Sequence, residues 1–318
     1  MPEILELNGE KILPGEDRQV HISIARLPTY TSIDLSVRVI RAKTDGPVVL
    51  LSGGLHGDEI NGIEIVRRLI SGGELDITAG TIIAIPLMNV YGFIQNVRGV
   101  PDGKDINRSF PGTKSGSLAK LVAYSILNDI IPKIDYGIDF HTGGASRANY
   151  PQIRCVFDIE KNMELARAFS PPVILHSGII NNSFRKAAKS KNKLIIVYET
   201  GESMRFDEPG IQIAIDGTYR FLHHLGMRNN SPEALEKTTI FRKSSWVRAK
   251  NAGIFNSKIK LGDFVKKRQV VGKITDPYGN ESFRVVNRNE GRVIALNNNP
   301  VVHKGDAILH VATSEIDK

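Results

Sequence analysis

Short apolar runs alternate with longer stretches of helical periodicity between about residues 35 and 225. The runs are rich in β-branched residues and predict six strands, at residues 48–52, 81–86, 136–140, 153–157, 172–176 and 194–198. Apolar residues at helical spacing predict helices at residues 59–70, 118–131, 161–169, 183–191 and 211–225. This alternation predicts an α/β fold, with a parallel or mixed sheet that helices cover on both faces.

The pattern changes after the last predicted helix. Gly226 and the polar residues that follow, up to Pro232, are typical of a helix stop and a loop. We therefore expect two domains, a larger α/β domain at residues 1–230 and a smaller all-β domain at residues 240–318.

The expected all-β domain contains two similar stretches of short strands and turns. Residues 246–255, 261–267 and 271–274 resemble, in the same order, residues 285–294, 300–306 and 308–311. Such a duplication resembles the two halves of a biotinyl/lipoyl carrier barrel, in which the joining hairpin presents a modified lysine. The joining segment here, residues 276–281, contains no lysine. We therefore expect a barrel-like lid, spacer or oligomer contact, with a homo-oligomer as one outcome, and no swinging arm.

The composition narrows the partners that are expected. The chain has 318 residues, of which 41% are hydrophobic, and a net charge of +8 with basic clusters at residues 185–193 and 258–268. This balance weakly favours anionic partners. Neither cluster has the interleaved aromatic residues of a nucleic-acid stacking surface, so no nucleic acid is expected. No apolar run approaches the roughly 20 residues of a membrane span, so no membrane partner is expected either.

The single cysteine, Cys155, cannot form an intrachain disulfide and is predicted to be a core residue. The polar, acidic first 20 residues do not resemble an export signal. Both observations favour a cytoplasmic protein.

Two candidate metal ligands follow the first predicted strand. The segment 53–59 contains His56 and Glu59 and is expected to open a helix, where residues three apart share a face. The imidazole and the carboxylate can then point at one atom. A plain helix terminus is the alternative, since a carboxylate also suits the positive end of a helix dipole.

A second imidazole, that of His141, directly follows the strand predicted at residues 136–140. The carboxyl ends of strands are where α/β sheets place their binding crevices. Two histidines and one glutamate are the protein ligands of a catalytic zinc with an open fourth position, so we expect one Zn²⁺ per chain. A strand-end histidine bonded to the backbone is the alternative for His141.

Glu199 directly follows the strand predicted at residues 194–198 and is expected at the same crevice. A carboxylate there can accept a proton from an attacking water and later pass it to a leaving amine. The alternative is an N-cap or a surface carboxylate.

A loop after the second strand contains two arginines and an asparagine with matching chemistry. Arg108 can bind a substrate carboxylate through two parallel hydrogen bonds, and the amide of Asn107 adds a donor. Arg98 can stabilise an oxyanion that forms when water adds to a carbonyl. For each arginine taken alone, a surface salt bridge is the alternative.

Four motifs together resemble the succinylglutamate desuccinylase/aspartoacylase family, which belongs with the zinc carboxypeptidases. They are HGDE at 56–59, DINRSFPG at 105–112, DFHTG at 139–143 and ETG at 199–201. The resemblance covers roughly residues 51–201 and implies a zinc-carboxypeptidase-like mixed sheet in a catalytic N-terminal domain. It also implies the following roles: zinc on His56, Glu59 and His141, proton transfer by Glu199, oxyanion stabilisation by Arg98, and carboxylate binding by Asn107 and Arg108. Arg154 and Tyr278 are further candidate substrate contacts outside the motifs.

The resulting hypothesis is a zinc-dependent deacylase that cleaves the amide bond of a small, anionic N-acylated amino acid. Two alternatives stay open. One is a carboxypeptidase or amidase that acts on acidic peptide tails with the same metal site. The other is a non-catalytic binding protein that keeps the fold.

Overall fold

The computed structural model describes residues 5–73, 75–234 and 237–316, so the outer ends of both expected domains lie outside the described residues. The chain begins with two antiparallel hairpins that precede the α/β alternation. Their strands are β1 (Leu5–Leu7), β2 (Glu10–Ile12), β3 (Asp17–Arg26) and β4 (Ser32–Arg41). In β4, buried residues alternate with more exposed ones, which is the pattern of a strand with one face on the core.

The middle of the chain alternates strands and helices, as the apolar pattern predicts. The strands are β5 (Thr44–Ser52), β6 (Ala79–Ile85), β7 (Tyr136–Gly143), β8 (Arg147–Cys155), β9 (Val173–His176) and β10 (Leu194–Glu202). The helices are α1 (Ile60–Ser71), α2 (Val90–Gln95), α3 (Leu118–Ser125), α4 (Glu160–Phe169), α5 (Phe184–Ser190) and α6 (Glu208–His224).

One helix is shorter than predicted. The helix expected at residues 118–131 is regular only to Ser125 and then widens into a π turn, Ile126–Ile130, and a 3-10 turn, Ile131–Lys133. Pro132 accounts for this end, because it lacks an N–H and its ring clashes with the carbonyl group four residues earlier in a regular helix.

The last part of the chain is all β. Its strands are β11 (Thr239–Arg248), β12 (Gly253–Ser257), β13 (Phe264–Val265), β14 (Val270–Thr275), β15 (Ser282–Val286), β16 (Gly291–Asn297), β17 (Val301–Val302) and β18 (Ala307–Ile316). Four of them form a small sheet of their own, in the order β15-β14-β12-β17.

A twelve-stranded mixed sheet connects the two halves of the chain. Its order is β13-β16-β18-β11-β9-β8-β10-β7-β5-β6-β4-β3. Strands β7, β5 and β6 are parallel neighbours, whereas β8 runs antiparallel to β10. The prediction of a mixed α/β sheet is thus confirmed.

The same sheet closes on itself at one end. Strand β16 pairs with β18 and also with β8, so β8, β9, β11, β18 and β16 form a closed ring of five strands. Two neighbouring strands of this ring, β8 and β9, come from the α/β part, and the other three, β11, β18 and β16, come from the all-β part. The pairing therefore differs from a self-contained lipoyl-type barrel, because the all-β segment shares backbone hydrogen bonds with β8 and β9.

Apolar layers lie on both faces of the large sheet. Residues of α1, α4 and α6 pack on one face, and residues of α3 and α5 pack on the other. Within β5, Val49 and Leu51 belong to the first layer and Leu50 to the second, as the alternation along a strand requires. Cys155 is buried in the first layer, as predicted. Within the described residues, no helix is both long enough and apolar enough to cross a bilayer.

Candidate active site

The first two candidate ligands lie in the turn between β5 and α1, not on the helix itself. The helix begins at Ile60, with Glu59 at its N-cap position, and the backbone N–H of Glu59 donates to the carbonyl of His56. This turn places His56 Nδ1 at 2.7 Å from Glu59 Oε1. The turn packs closely on α2, because a Cβ at Gly57 would lie 2.0 Å from the backbone of Gly92. The expected proximity of His56 and Glu59 is therefore present, although a turn produces it.

His141 lies within β7 and faces the same carboxylate from the other side. Its Nδ1 is 2.8 Å from Glu59 Oε2, and its Nε2 is 2.6 Å from Asp139 Oδ2. The backbone N–H of Thr142 donates to Glu59 Oε2 at 3.0 Å. Glu59 therefore bridges the two imidazoles, while Asp139 fixes the orientation of His141.

Opposite charges dominate the protonation of this buried cluster. Burial alone lowers the pKa of an imidazole, but the carboxylates of Glu59 and Asp105 outweigh it, so the pKa of His56 is raised. Asp139 and Glu59 raise the pKa of His141 well above its usual value in the same way. Burial raises the pKa of Glu59, yet the two imidazoles outweigh it and hold that pKa well below its ordinary value.

The donor atoms of this cluster fit a metal ion. One donor atom each from His56, Glu59 and His141 lies within 4.8 Å of the others, and all three residues are buried. Neither ring nitrogen of His56 is aimed at a hydrogen-bonding partner in the described part of the chain, although Nδ1 is close to Glu59. Two imidazoles and a carboxylate are the donor set of a catalytic zinc with an open fourth position.

Strand β10 brings Glu199 next to this cluster. Strands β7 and β10 are parallel, and Glu199 is directly paired with His141 in their register. The side-chain amide of Asn149 donates to Glu199 Oε2 at 2.7 Å, and Arg154 Nη1 is 3.3 Å from Glu199 Oε1. Each carboxylate oxygen is therefore held by a different residue of β8.

The loop residues predicted to bind substrate also lie near the cluster of His56, Glu59 and His141. Arg98 donates to Glu59 Oε1 at 3.0 Å and contacts Asp105 Oδ2 with two nitrogens, and its side chain remains 42% exposed. Asn107 accepts a hydrogen bond from the backbone N–H of Phe184, which leaves its amide nitrogen without a partner among the described residues. Arg108 donates to the carbonyl of Asn107.

These residues line a single cleft of about 700 Å³. Its lining includes both histidines, Glu59, Glu199 and five arginines: Arg98, Arg108, Arg147, Arg154 and Arg185. Arg154, predicted as a substrate contact, lines the cleft and is ion-paired with Glu199.

Tyr278 does not join the cleft within one chain. It lies in the turn between β14 and β15, is 86% exposed, and is absent from the cleft lining. The turn belongs to the separate four-stranded sheet, so its side chain is not carried by the large sheet that forms the cleft. The expectation that Tyr278 contacts substrate therefore has no support in the geometry of the single chain.

Several cleft residues were not predicted from the sequence. Asp139 carried a weak signal, since it stands two residues before a candidate ligand. Asn149 and Trp246 stand in no motif. Arg185 donates to the carbonyls of Ser177 and Gly178, and burial lowers its pKa. It lies inside a basic run, where sequence alone indicates a solvated surface.

A family model for the succinylglutamate desuccinylase/aspartoacylase catalytic domain matches residues 45–225, more than half of the chain. The chain belongs to the succinylglutamate desuccinylase/aspartoacylase family. The resemblance inferred from the four motifs is thus confirmed, and the matched segment contains the complete His56, Glu59, His141 and Glu199 set.

Known proteins that are similar to this desuccinylase/aspartoacylase-family chain include one enzyme and two solved structures. The N-alpha-acetyl-L-2,4-diaminobutyric acid deacetylase of Halomonas elongata is 28% identical over 259 residues, which cover 78% of this chain and 75% of the relative. A succinylglutamate desuccinylase/aspartoacylase structure from Rhodobacter sphaeroides superposes with a TM-score of 0.83 at 23% identity, covering 95% of this chain and 96% of that one. An aspartoacylase family protein from Mesorhizobium loti gives a TM-score of 0.82 at 25% identity, covering 98% and 99%.

Proposed function

We propose that this chain is a zinc-dependent hydrolase that removes the acyl group from an N-acylated amino acid. The observation that carries the proposal is the buried His56, Glu59 and His141 cluster with the Glu199 carboxylate in the same cleft. The name of the Halomonas elongata relative supports deacylation of an amino acid as the reaction class.

The metal chemistry follows from the donor set. His56, Glu59 and His141 would hold one zinc ion per chain. When bound, zinc supplies a Lewis acid that polarises a carbonyl group and lowers the pKa of water toward neutrality. Asp139 Oδ2 is 2.6 Å from Nε2 of His141 and orients that ring, and Asp105 Oδ1 is 3.3 Å from Nε2 of His56.

Glu199 is the residue that moves the proton. It accepts a proton from the water that attacks the acyl carbonyl and returns it to the leaving amine. Asn149 and Arg154 fix one carboxylate oxygen each, so Glu199 is oriented before substrate arrives. Arg98 is paired with Glu59 and Asp105, yet its side chain remains 42% exposed. We assign it to the oxyanion of the tetrahedral intermediate.

Asn107 and Arg108 are assigned to a carboxylate of the amino-acid part. The amide nitrogen of Asn107 and the planar guanidinium of Arg108 are donors that match a carboxylate. A small anionic substrate also agrees with the five arginines of the cleft. A cytoplasmic location completes the proposal and rests on the single, buried cysteine.

The test begins with the metal. Elemental analysis of the untagged protein should find about one zinc per chain, and His141→Ala should lose it. Glu199→Gln should retain the zinc but hydrolyse N-acetyl amino acids at least about 100-fold more slowly, because the proton acceptor is gone. The matched control is Glu160→Gln, an exposed carboxylate in the first turn of α4, which should behave as the wild type.

The outcomes separate the three candidate functions. Hydrolysis of acidic peptides without hydrolysis of N-acyl amino acids would favour the peptidase. A folded protein that takes up no zinc and hydrolyses neither would reject the hydrolase and favour a binding protein. Unchanged turnover in Glu199→Gln would remove Glu199 from the mechanism.

A further inference from the structure

The positive charge of the chain is concentrated in the all-β segment. Residues 237–316 contain 15 Lys and Arg and six Asp and Glu, a balance of +9, whereas the whole chain has a net charge of +8. The α/β part is therefore close to neutral. Among the described residues, every ion pair lies between Glu10 and His224, so none includes a cation of the all-β segment. These cations are not neutralised by carboxylates of the described chain.

The four-stranded sheet of this segment has one apolar face. Phe255 of β12, Ile274 of β14 and Val285 of β15 are buried in one apolar cluster with residues of β11, β16 and β18. In the strand register, Ile274 is directly opposite Phe255 on one side and Phe283 on the other. Since side chains alternate along a strand, the residues next to these point away from the cluster.

The opposite face of this sheet, which we call the outer face, is basic. Lys273 of β14 is directly opposite Arg284 of β15 and Asn256 of β12. The alternation continues past the strand ends, because buried Ile259 and Asn287 are each flanked by exposed residues. The outer face thus carries five exposed cations: Lys258, Lys260, Lys273, Arg284 and Arg288. The four strands contain no Asp or Glu.

The arrangement of these cations favours an anionic partner. Like charges that are directly opposite each other on neighbouring strands destabilise a sheet, and Lys273 and Arg284 form such a pair. No carboxylate of the described residues is ion-paired with either of them. A surface that carries negative charge would turn this repulsion into attraction.

The other side chains of the outer face favour a lipid surface over a nucleic acid. A nucleic acid is held by aromatic residues that stack on its bases, but Phe255 and Phe283 take inward positions beside Ile274. Valines lie near the cations instead, with Val286 43% and Val301 56% exposed. Such side chains, with the aliphatic stems of Lys and Arg, can enter the headgroup region while the cations contact phosphates.

We propose that the outer face docks the protein on a membrane surface rich in anionic lipid, with its five cations on the headgroup phosphates. The expectation of no membrane partner rested on the lack of a spanning run, and contact between a folded sheet and a lipid surface requires none. An anionic leaflet attracts basic residues by about fivefold in affinity for each Lys or Arg near the surface. The inference does not depend on the proposed function.

The test is sedimentation of the full-length protein with vesicles. One preparation contains phosphatidylcholine alone, and the other also contains about 30% phosphatidylglycerol, which supplies the negative charge. At about 50 mM salt, the protein should sediment with the anionic vesicles and stay in solution with the neutral ones. At about 0.5 M salt, the binding should be lost, because screening shortens the range of the attraction.

Substitution of three cations locates the contact. The combined variant Lys273→Gln, Arg284→Gln and Arg288→Gln should bind anionic vesicles about 100-fold more weakly, at about fivefold for each lost cation. All three side chains are exposed, so the far-ultraviolet circular dichroism spectrum should equal that of the wild type.

The matched control uses the other basic cluster of the chain. Lys186→Gln, Lys189→Gln and Lys191→Gln together remove the same net charge from three exposed positions at and just after α5. This variant should bind anionic vesicles within about threefold of the wild type, because its substitutions lie outside the outer face. An equal loss in both triple variants would overturn the docking face, since overall charge alone would then explain the binding.

Two other results would also contradict the proposal. One is the absence of sedimentation with anionic vesicles at low salt. The other is displacement of the protein from the vesicles by single-stranded polyuridine RNA at equal phosphate concentration, which would assign the outer face to nucleic acid. Failure of the proposed function is distinguishable. A protein that sediments but hydrolyses no N-acyl amino acid refutes the deacylase alone, and an active deacylase that does not sediment refutes the docking alone.

Discussion

Replacing His310 by phenylalanine should make the protein more resistant to acid. His310 is buried, its Nδ1 has no hydrogen-bonding partner in the described part of the chain, and its ring stacks on Trp246. Burial and the nearby charge of Arg154 lower its pKa from 6.5 to about 3. The folded protein therefore keeps His310 neutral at a pH where the unfolded chain protonates it. Phenylalanine preserves the stack and does not titrate.

The sign and size of the effect follow from linkage. Above pH 6.5 the imidazole is neutral in both states and His310 adds no pH dependence. As the pH falls from 6.5 toward 3, only the unfolded state gains the proton, so stability is lost over this window. At about pH 5, roughly 1.5 units below the unfolded pKa, the loss is about 2 kcal/mol, at 1.36 kcal/mol per unit. This value changes little if the folded pKa is anywhere below about 4.

The assay is chemical unfolding of the wild type and of His310→Phe at several pH values, followed by far-ultraviolet circular dichroism. Indole fluorescence is unsuitable, because Trp246 touches the substituted residue. The difference in unfolding free energy between the two proteins is the quantity of interest. His56 and His141 titrate in both proteins, and their contributions cancel in that difference. The difference should change by about 2 kcal/mol between about pH 7.5 and about pH 5, in favour of the variant.

A difference that stays constant with pH would refute the reasoning. It would mean that His310 is protonated in the folded protein near its ordinary pKa, so that the site is more hydrated than its burial indicates. A shift of the opposite sign would mean that a carboxylate stabilises the charged imidazole, which contradicts the contacts around the ring.

Three further outcomes are expected. Asp139→Asn should weaken zinc binding about 10–100-fold in a competition with a chromophoric chelator, because His141 loses the carboxylate that orients its ring; an unchanged affinity would contradict this. Gly62→Ala should lower the free energy of unfolding by about 1–3 kcal/mol, since its Cβ would lie 2.3 Å from a carbonyl oxygen of β7. Gly178→Ala, which meets no atom within 4 Å, is the control and should change it by less than about 0.5 kcal/mol. Cys155, whose pKa burial raises to about 12, should react with a thiol reagent at neutral pH only after unfolding, and rapid native labelling would argue against its burial.

The order of elements and the candidate metal ligands could be predicted from the sequence. Strands with β-branched residues and helices with apolar periodicity depend on local interactions, so their pattern is visible in short windows. His56 and His141 follow or lie near the carboxyl ends of predicted strands, and parallel strands bring such ends to one edge of a sheet. The His56 and Glu59 pair was predicted correctly, although in a helix and not in the turn that contains it.

The residues that hold Glu199 and the contribution of the all-β segment to the cleft could not be predicted in this way. Asn149 and Arg154 reach Glu199 only because β8 runs antiparallel to β10 in one particular register. Arg147 and Trp246 meet only because β16 pairs with β8 and closes the ring. The alternation of apolar and polar residues along a strand does not reveal how that strand is aligned with its neighbour. A shift of the alignment by one residue would turn each side chain to the other face of the sheet.

The sequence by itself therefore determined the class of fold, the family and the residues able to hold a metal. The tertiary structure decided which β8 residues orient Glu199, that the all-β segment forms part of the cleft, and that Tyr278 stays outside it. The physical reason is that the first group of properties depends on residues close in sequence or on strand ends. The second depends on pairing between strands far apart in the chain, whose register is set by the packing of the whole sheet.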